Sequence, residues 1–327
     1  MKYYKAMNKD MSCRGFQYEV GGIYELPKDV ELELCQNGFH FCDILANCFK
    51  YYNQDDRIIC EIEPLGRIIH SENENKLVTD KIKIVRQLSN EEIEKEQYVI
   101  QDGIEMIGDG CFYNCTDLKE ITIPNSVTYI GNYNAFYGCK NLEKINIPNS
   151  VTCINGGAFW CCESLKEITI PDSVTYIGKK VFYGCNSLKN IFVDKNNKNY
   201  SSLNGVLFNK DKTKIICYPS GKTLSHYDIP NSVISIDIDA FEDCTFLKNI
   251  ILSNNVAFVE NWAFLNCISL KEITIPDSVT YIGIEAFYNC TSLKKIYISN
   301  NFNINLLDSC MLSTWGKVLS QAEIVRI

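Results

Sequence analysis

Seventeen cysteines and three histidines are the side chains of this 327-residue sequence best suited to chemistry. Thiolates and imidazoles bind metal ions, thiols pair as disulfides, and a thiol beside an imidazole acts as a nucleophile. One short segment holds Cys35, His40, Cys42 and Cys48. Its spacings lack the Cys-x-x-Cys pair of a zinc knuckle, so we predict no metal site there. The sequence also has no GxxxxGK phosphate loop.

Seven of the other fourteen cysteines recur at one position of an internal repeat. They are Cys115, Cys139, Cys162, Cys185, Cys244, Cys267 and Cys290, at intervals of 24, 23, 23, 59, 23 and 23 residues. Their number is odd and their step is regular, which favours reduced, buried thiols that pack as small hydrophobic residues. A line of thiols without neighbouring histidines does not offer the converging ligands of a metal site.

The repeat itself predicts the fold of the last two thirds of the chain. SLKEITIPDSVTYIG begins at Ser164 and again at Ser269, and its Leu-x-x-Ile-x-Ile centre alternates as a short strand does. Coils of this length stack as a solenoid, with strands about 4.8 Å apart in a parallel sheet. Phe112, Phe136, Phe159, Phe182, Phe241, Phe264 and Phe287 are expected to stack inside it.

The outward strand positions form the candidate binding surface, because the inward ones are committed to the core. The candidate binding residues are Glu120, Thr122, Lys144, Glu167, Phe192, Ile251, Glu272 and Tyr297. Three of them, Phe192, Ile251 and Tyr297, are apolar or aromatic where threonine is usual. Apolar side chains at these three positions fit a hydrophobic patch that binds a protein partner. They equally fit the preference of strands for β-branched and aromatic residues, so both interpretations stay open.

Three other segments depart from the repeat. Residues 192–229 are an elaborated coil in which VLFNKDKTKIICY predicts a β-hairpin around the polar turn at 209–212. Residues 1–95 predict a separate small α+β domain, with strands at 57–62 and 81–85, a helix at 43–52 and an acidic helical connector at 89–96. Residues 303–327 are expected to cap the open end of the solenoid, which spans residues 96–302.

The motif C-x-S-L-K-x-I-x-I-P-x-S-V-T-x-I-G-x-x-A-F is similar to the BspA-type leucine-rich repeat and covers about residues 103–299. The resemblance implies a β-rich leucine-rich-repeat solenoid that serves adhesion or protein binding, often on a microbial surface. The sequence begins without a secretory apolar run and has no stretch of eighteen apolar residues. We therefore expect a cytoplasmic location without membrane insertion, and a surface location would follow from the resemblance alone.

The N-terminal region also resembles the central portion of ADP-ribosyltransferases. The resemblance rests on Gly38-Phe39-His40-Phe41-Cys42-Asp43 and on the Ala46–Tyr51 segment that follows. It implies an NAD-binding role for Arg14 and His40, and for Tyr51 a ring that stacks on nicotinamide. Asn75 occupies the approximate place of the catalytic glutamate, and Glu74 precedes it.

The net charge of −8 argues against nucleic acid as the main partner. Together these patterns favour a non-enzymatic protein that binds a protein partner and needs no cofactor. The alternative is an effector whose N-terminal domain transfers ADP-ribose from NAD while the repeats select the target.

Overall fold

The computed structural model describes residues 1–34, 36–50, 57–72, 75–131, 133–307 and 322–327. Within these ranges the chain forms an N-terminal sheet followed by a long stack of coils. None of the described helices is long and apolar enough to cross a membrane.

The N-terminal region is dominated by one antiparallel sheet. Its strands are β1 (Tyr3–Asn8), β2 (Ser12–Cys13), β3 (Phe16–Gln17), β4 (Ile23–Glu25), β5 (Phe39–Cys42), β6 (Arg57–Pro64), β7 (Ile68–His70), β8 (Lys76–Thr79) and β9 (Lys81–Gln87). Seven strands pair in the order β4-β9-β6-β1-β5-β8-β7, and β2 pairs with β3. The two strands predicted here are present as β6 and β9, each longer than predicted.

The helices of this region are short. A 3₁₀ helix, Leu45–Lys50, lies within the segment predicted as a helix at 43–52, whose last two residues are outside the described ranges. Helix α1 (Asn90–Glu96) is the acidic connector. Ser89 begins it with a capping box, because its hydroxyl accepts a hydrogen bond from the Glu92 amide while the Glu92 carboxylate accepts from the Ser89 amide.

The stacked coils place two short strands in most repeats. These strands are β10 (Met106–Ile107), β11 (Glu120–Thr122), β12 (Tyr129–Ile130), β13 (Lys144–Asn146), β14 (Cys153–Ile154), β15 (Glu167–Ile170), β16 (Tyr176–Ile177), β17 (Asn190–Val193), β18 (Tyr200–Leu203), β19 (Val206–Asn209), β20 (Lys214–Cys217), β21 (His226–Asp228), β22 (Ser235–Ile236), β23 (Asn249–Ile251), β24 (Phe258–Val259), β25 (Glu272–Ile275), β26 (Tyr281–Ile282), β27 (Lys295–Ile298) and β28 (Glu323–Arg326).

Equivalent residues of neighbouring coils pair in register, which confirms the predicted solenoid with parallel sheets. Ile121 pairs with Ile145, and Ile273 pairs with Ile296. One face carries the sheets β11-β13, β15-β17 and β21-β23-β25-β27-β28, and the other carries β10-β12-β14-β16 and β20-β22-β24-β26. The inward isoleucines are buried, as the alternation predicted.

The predicted column of phenylalanine rings is present in two runs. The centroids are 5.0, 5.5 and 6.1 Å apart from Phe112 to Phe182. From Phe241 to Phe287 they are 5.1 and 5.2 Å apart. Tyr218 extends the second run, because its ring stacks on Phe241 at 5.0 Å. The elaborated coil lies between the two runs.

The elaborated coil contains the predicted hairpin and a third strand. β18 pairs with β19 and β19 pairs with β20, both antiparallel, and β20 then pairs in parallel with β22 of the next coil. The chain therefore leaves the repeat after β17 and returns to it at β20. This return gives the coil an irregular third side.

Candidate functional site

The outward strand residues lie side by side, as the repeat predicts. Glu120 pairs with Lys144 and Thr122 with Asn146 across β11 and β13. Glu272 pairs with Lys295 across β25 and β27. Cross-strand partners of opposite charge attract each other, so these two pairs also support the register. Glu120, Thr122, Lys144 and Glu167 are exposed, and Glu272 is half-buried.

The three apolar outward residues do not lie on one sheet. Phe192 is on β17 in the β15-β17 sheet, with 43% of its surface exposed. Ile251 is on β23, also 43% exposed, and Tyr297 is on β27 of the same sheet. Thr274 separates them, since it pairs with Ile251 on one side and with Tyr297 on the other. The elaborated coil intervenes between Phe192 and the other two along the chain.

Two of the residues named by the ADP-ribosyltransferase resemblance meet in the N-terminal region. Arg14 Nη1 lies 3.5 Å from His40 Nδ1, and both line a cavity of about 180 Å³ together with Lys5 and Lys76. Burial, aided by the charge of Arg14, lowers the pKa of His40 to about 4, so the imidazole is neutral at pH 7. The cavity is smaller than most sites for drug-sized ligands.

The other two residues named by that resemblance, Tyr51 and Glu74, lie outside the described residues. Asn75 is described, and its side chain faces the first coil instead of a cavity. Its amide nitrogen donates to the Met106 carbonyl at 2.8 Å, and its amide oxygen accepts from the Gly108 N–H. Asn75 thus pairs with the backbone beside β10 and joins the N-terminal sheet to the solenoid.

The repeated thiols form hydrogen bonds between coils. The Sγ atoms of Cys139, Cys162, Cys185, Cys267 and Cys290 lie 3.0 to 3.2 Å from a phenylalanine carbonyl oxygen of the preceding coil. Burial raises the pKa of the first four of these thiols. A hydrogen bond with Cys267, followed by burial, raises the pKa of Cys290. The described part of the chain contains no group of three or more Cys, His, Asp or Glu residues arranged to hold a metal ion.

A larger cavity, of about 350 Å³, lies beside the elaborated coil and was not predicted. In the following coil, five residue steps lead from Ile236 to Phe241. In the elaborated coil, Ile215 takes the place of Ile236, because the two residues pair, and Tyr218 takes the place of Phe241, because its N–H donates to the Ala240 carbonyl. Only three residue steps lead from Ile215 to Tyr218. The third side of the coil is therefore two residues short.

One of the two missing residues is the residue whose backbone adopts a left-handed conformation in the other coils. Its counterparts are Gly110, Asn134, Gly157, Lys180, Asp239, Trp262 and Glu285, with φ between 53° and 66°. Lys180 is the last one before the gap and Asp239 the first one after it. The Lys180 ammonium spans the gap, and its Nζ lies 3.8 Å from Asp239 Oδ2. We call the space between these coils the gap cavity.

The carboxyl groups of the gap cavity are incompletely paired. Glu242 is 8% exposed and Tyr218 is 2% exposed. Among the described residues, no hydrogen-bond partner reaches Glu242 Oε1, the Tyr218 hydroxyl or Asp239 Oδ1. Burial raises the pKa of Glu242 to about 8, and burial also raises the pKa of Asp239. A sequence signal for this site exists, because Tyr218 replaces the repeated phenylalanine. Gly221 replaces the marker cysteine, the repeated cysteine that stands three residues after that phenylalanine in other coils.

Comparison with known proteins gives matches to solved bacterial structures. A leucine-rich repeat protein from Eubacterium ventriosum is 30% identical, with 69% of this chain and 64% of that chain covered and a TM-score of 0.55. The pneumococcal vaccine antigen PcpA is 30% identical over 57% of this chain and 52% of that chain, with a TM-score of 0.49. The chain thus spans less than two thirds of either structure. No curated protein matches it.

Two family models match the chain. A domain of unknown function (DUF7666) matches residues 1–96. The BspA type leucine-rich repeat region, in six copies, matches residues 89–214 and 211–316. The repeat model covers well over half of the sequence and agrees with the stacked coils described above. This protein therefore belongs to the BspA-type leucine-rich repeat family.

Proposed function

We propose that this protein binds a protein partner through the outward residues of its strand face, without catalysis. The observation that carries the proposal is the in-register pairing of β21, β23, β25, β27 and β28, which aligns their outward residues in continuous rows. Stacked repeats use such extended surfaces for binding. The proposal assigns recognition to residues 96–302, with 192–229 as an elaboration of one coil.

Exposed apolar residues on this face support a macromolecular partner. Ile251 and the half-buried Tyr297 lie on the two strands that flank Thr274, within a surface of polar residues. A few apolar anchors surrounded by a polar rim are typical of protein interfaces. Phe192 provides a further anchor on its own sheet.

Charge substitution tests this proposal. A triple variant with Phe192, Ile251 and Tyr297 changed to Glu should lose most capture of the proteins that bind the immobilised wild type. The matched control changes Phe246, Ile268 and Ile284 to Glu, since these residues are also exposed, at 42 to 61%, but lie outside the strands. Both variants should keep the wild-type melting temperature. Equal loss of capture in both, or in neither, would refute the role of the strand face.

The meeting of Arg14 and His40 favours a second candidate function, ADP-ribosyl transfer from NAD. Lys5, Arg14 and Lys76 fit an anionic group such as one phosphate of NAD, but the small cavity does not hold the whole dinucleotide. NAD consumption by the purified protein tests this candidate. Turnover that is abolished by Arg14→Ala, Tyr51→Ala or Glu74→Gln would support it, and no turnover would remove it.

A further inference from the structure

The gap cavity contains acceptor atoms that the protein leaves unused. Asp239 Oδ1, Glu242 Oε1 and the Tyr218 hydroxyl are buried and unpartnered within the described chain. All three residues line this one cavity. An unpaired buried polar group costs about 1 to 3 kcal/mol, and more when it is charged. Two carboxyl groups and a hydroxyl held in this way are suited to a ligand that brings hydrogen-bond donors.

The unpaired carboxyl oxygens in the cavity favour a donor that carries a positive charge. Asp239 and Glu242 stand three residues apart, and the negative charge of Asp239 adds to the burial that raises the pKa of Glu242. An anion brings acceptors and no donors, so it would leave the unpaired oxygens of Asp239 and Glu242 without partners. A metal ion is disfavoured because three lysines, Lys179, Lys180 and Lys214, line the cavity together with the carboxyl groups of Asp237, Asp239 and Glu242. No cluster of three ligand residues suited to a metal ion occurs in the described ranges.

The protein already places one ammonium group in this environment. Lys180 Nζ lies 5.3, 5.7 and 6.0 Å from the ring centroids of Tyr183, Trp262 and Trp160. Aromatic faces attract ammonium groups at such distances. Lys180 partly compensates Asp239 at 3.8 Å but forms no ion pair with Glu242. The cavity is therefore compatible with an ammonium group and has acceptors left for another one.

We infer that the gap cavity is a binding site for an ammonium group, held by the carboxyl groups of Asp239 and Glu242 and by the Tyr218 hydroxyl. The ammonium group belongs either to a small primary amine or to a lysine side chain of another protein. The volume of about 350 Å³ accommodates a short aliphatic chain with its head group. The site is separate from the strand face, so it does not rest on the proposed protein-binding function.

Calorimetric titration of the full chain tests the inference with four probes. These are n-pentylamine, 1-pentanol, Nα-acetyl-lysine N-methylamide and n-pentanoate. We expect pentylamine to bind at least tenfold more tightly than pentanol, and pentanoate not to bind. Pentanol or pentanoate binding as tightly as pentylamine would overturn the inference. If the lysine derivative binds as tightly as pentylamine, the ammonium group can come from a lysine side chain. If the lysine derivative does not bind, the ligand is a small amine.

Variants with opposite expected effects separate binding from stability. Glu242→Gln keeps the shape and should weaken pentylamine binding at least tenfold, and Tyr218→Phe should weaken it severalfold. Lys180→Met removes the competing ammonium group and should tighten binding. Glu105→Gln, at an exposed residue to which no binding role is assigned, is the control and should leave affinity unchanged. Unchanged affinity in a folded Glu242→Gln protein, or weaker binding in Lys180→Met, would refute the assignment.

Discussion

The Sγ atom of Cys185 lies 3.1 Å from the carbonyl oxygen of Phe159, and the thiol donates to it. The two residues are 26 positions apart, one repeat plus three residues, so the bond joins neighbouring coils. The same contact recurs at other marker cysteines, for example from Cys290 to Phe264 at 3.1 Å. The cysteine column therefore supplies donors to buried carbonyl groups, which explains why a residue with a thiol suits this position better than a purely apolar one.

Replacing Cys185 by alanine should lower the free energy of unfolding by about 1 kcal/mol, because the Phe159 carbonyl loses one of its two donors and a small void forms. The other donor, the Cys162 N–H at 3.1 Å, remains. Urea denaturation measures this change. Cys161→Ala is the control, since Cys161 is only partly buried and lies in the neighbouring coil, two residues after Phe159. Equal effects of the two substitutions would show that the contact to Phe159 contributes nothing.

The periodic part of the fold was predictable from the sequence because one pattern repeats with little change. Alternation in Leu-x-x-Ile-x-Ile assigns Ile168 and Ile170 to the core, and both are buried. The hydrogen bonds of the thiols were not predictable in this way. Burial explains why a small apolar residue occupies the repeated cysteine position. The role of the thiol as a donor depends on a carbonyl group of the preceding coil, which comes close only when the coils stack.

The gap cavity was missed for a different reason. The hairpin at 206–217 was predicted, but the sequence does not show which of its residues resumes the column of stacked rings. The structure assigns this position to Tyr218 through its contacts with Phe241 and Ala240. Gly221 then follows where the marker cysteine stands in other coils. A Cβ atom at Gly221 would lie 2.4 Å from the carbonyl carbon of Ser187, so the backbones are too close for a side chain.

Asn75 should contribute strongly to the attachment of the N-terminal sheet. It is 5% exposed and forms two hydrogen bonds with the backbone of the first coil, to Met106 and from Gly108. Asn75→Ala should cost about 2 to 3 kcal/mol in unfolding free energy. Asn75→Asp should cost at least as much, because a carboxylate cannot donate to the Met106 carbonyl.

The control for this prediction is Asn231→Ala, which removes an exposed asparagine amide from a later coil. Thermal unfolding followed by circular dichroism measures all three variants. A melting temperature of Asn75→Ala within one degree of the control would contradict the attachment role.

The last strand should protect the end of the solenoid. β28 pairs with β27 in parallel, with Ile296 opposite Ile324, and Ile324 packs against the core of the later coils. Deleting residues 322–327 would expose the edge of β27 and the apolar residues beneath it. We expect the truncated protein to aggregate at concentrations at which the full chain stays monodisperse, as light scattering would show.

Ile324→Asp provides a point variant of the same test, and Ile327→Asp is its control because Ile327 is exposed. Aggregation of the first variant alone would support capping by β28. A truncated protein as monodisperse and as stable as the full chain would contradict it.

Glu242 should make the stability of the protein fall as the pH rises from about 5 to 8. Burial raises its pKa from 4.5 to about 8 in the folded state, so within this window the folded protein keeps a proton that the unfolded chain has released. Each pH unit in the window then lowers the unfolding free energy by up to about 1.4 kcal/mol. The ionisable groups that line the cavity around it, or act on it by charge, are Tyr176, Lys179, Lys180, Tyr183, Lys214, Cys217, Tyr218, Asp237, Asp239 and Asp243.

Comparison with Glu242→Gln isolates this contribution, because glutamine keeps the shape of the side chain and does not titrate. The unfolding free energies of the two proteins, measured by urea denaturation at pH 5, 6, 7 and 8, should diverge steadily in favour of the variant. Saturating pentylamine should reduce the divergence, since the bound ammonium group stabilises the ionised carboxylate. Parallel pH profiles of the two proteins would mean that Glu242 is ionised throughout the window and that its buried oxygen is already compensated.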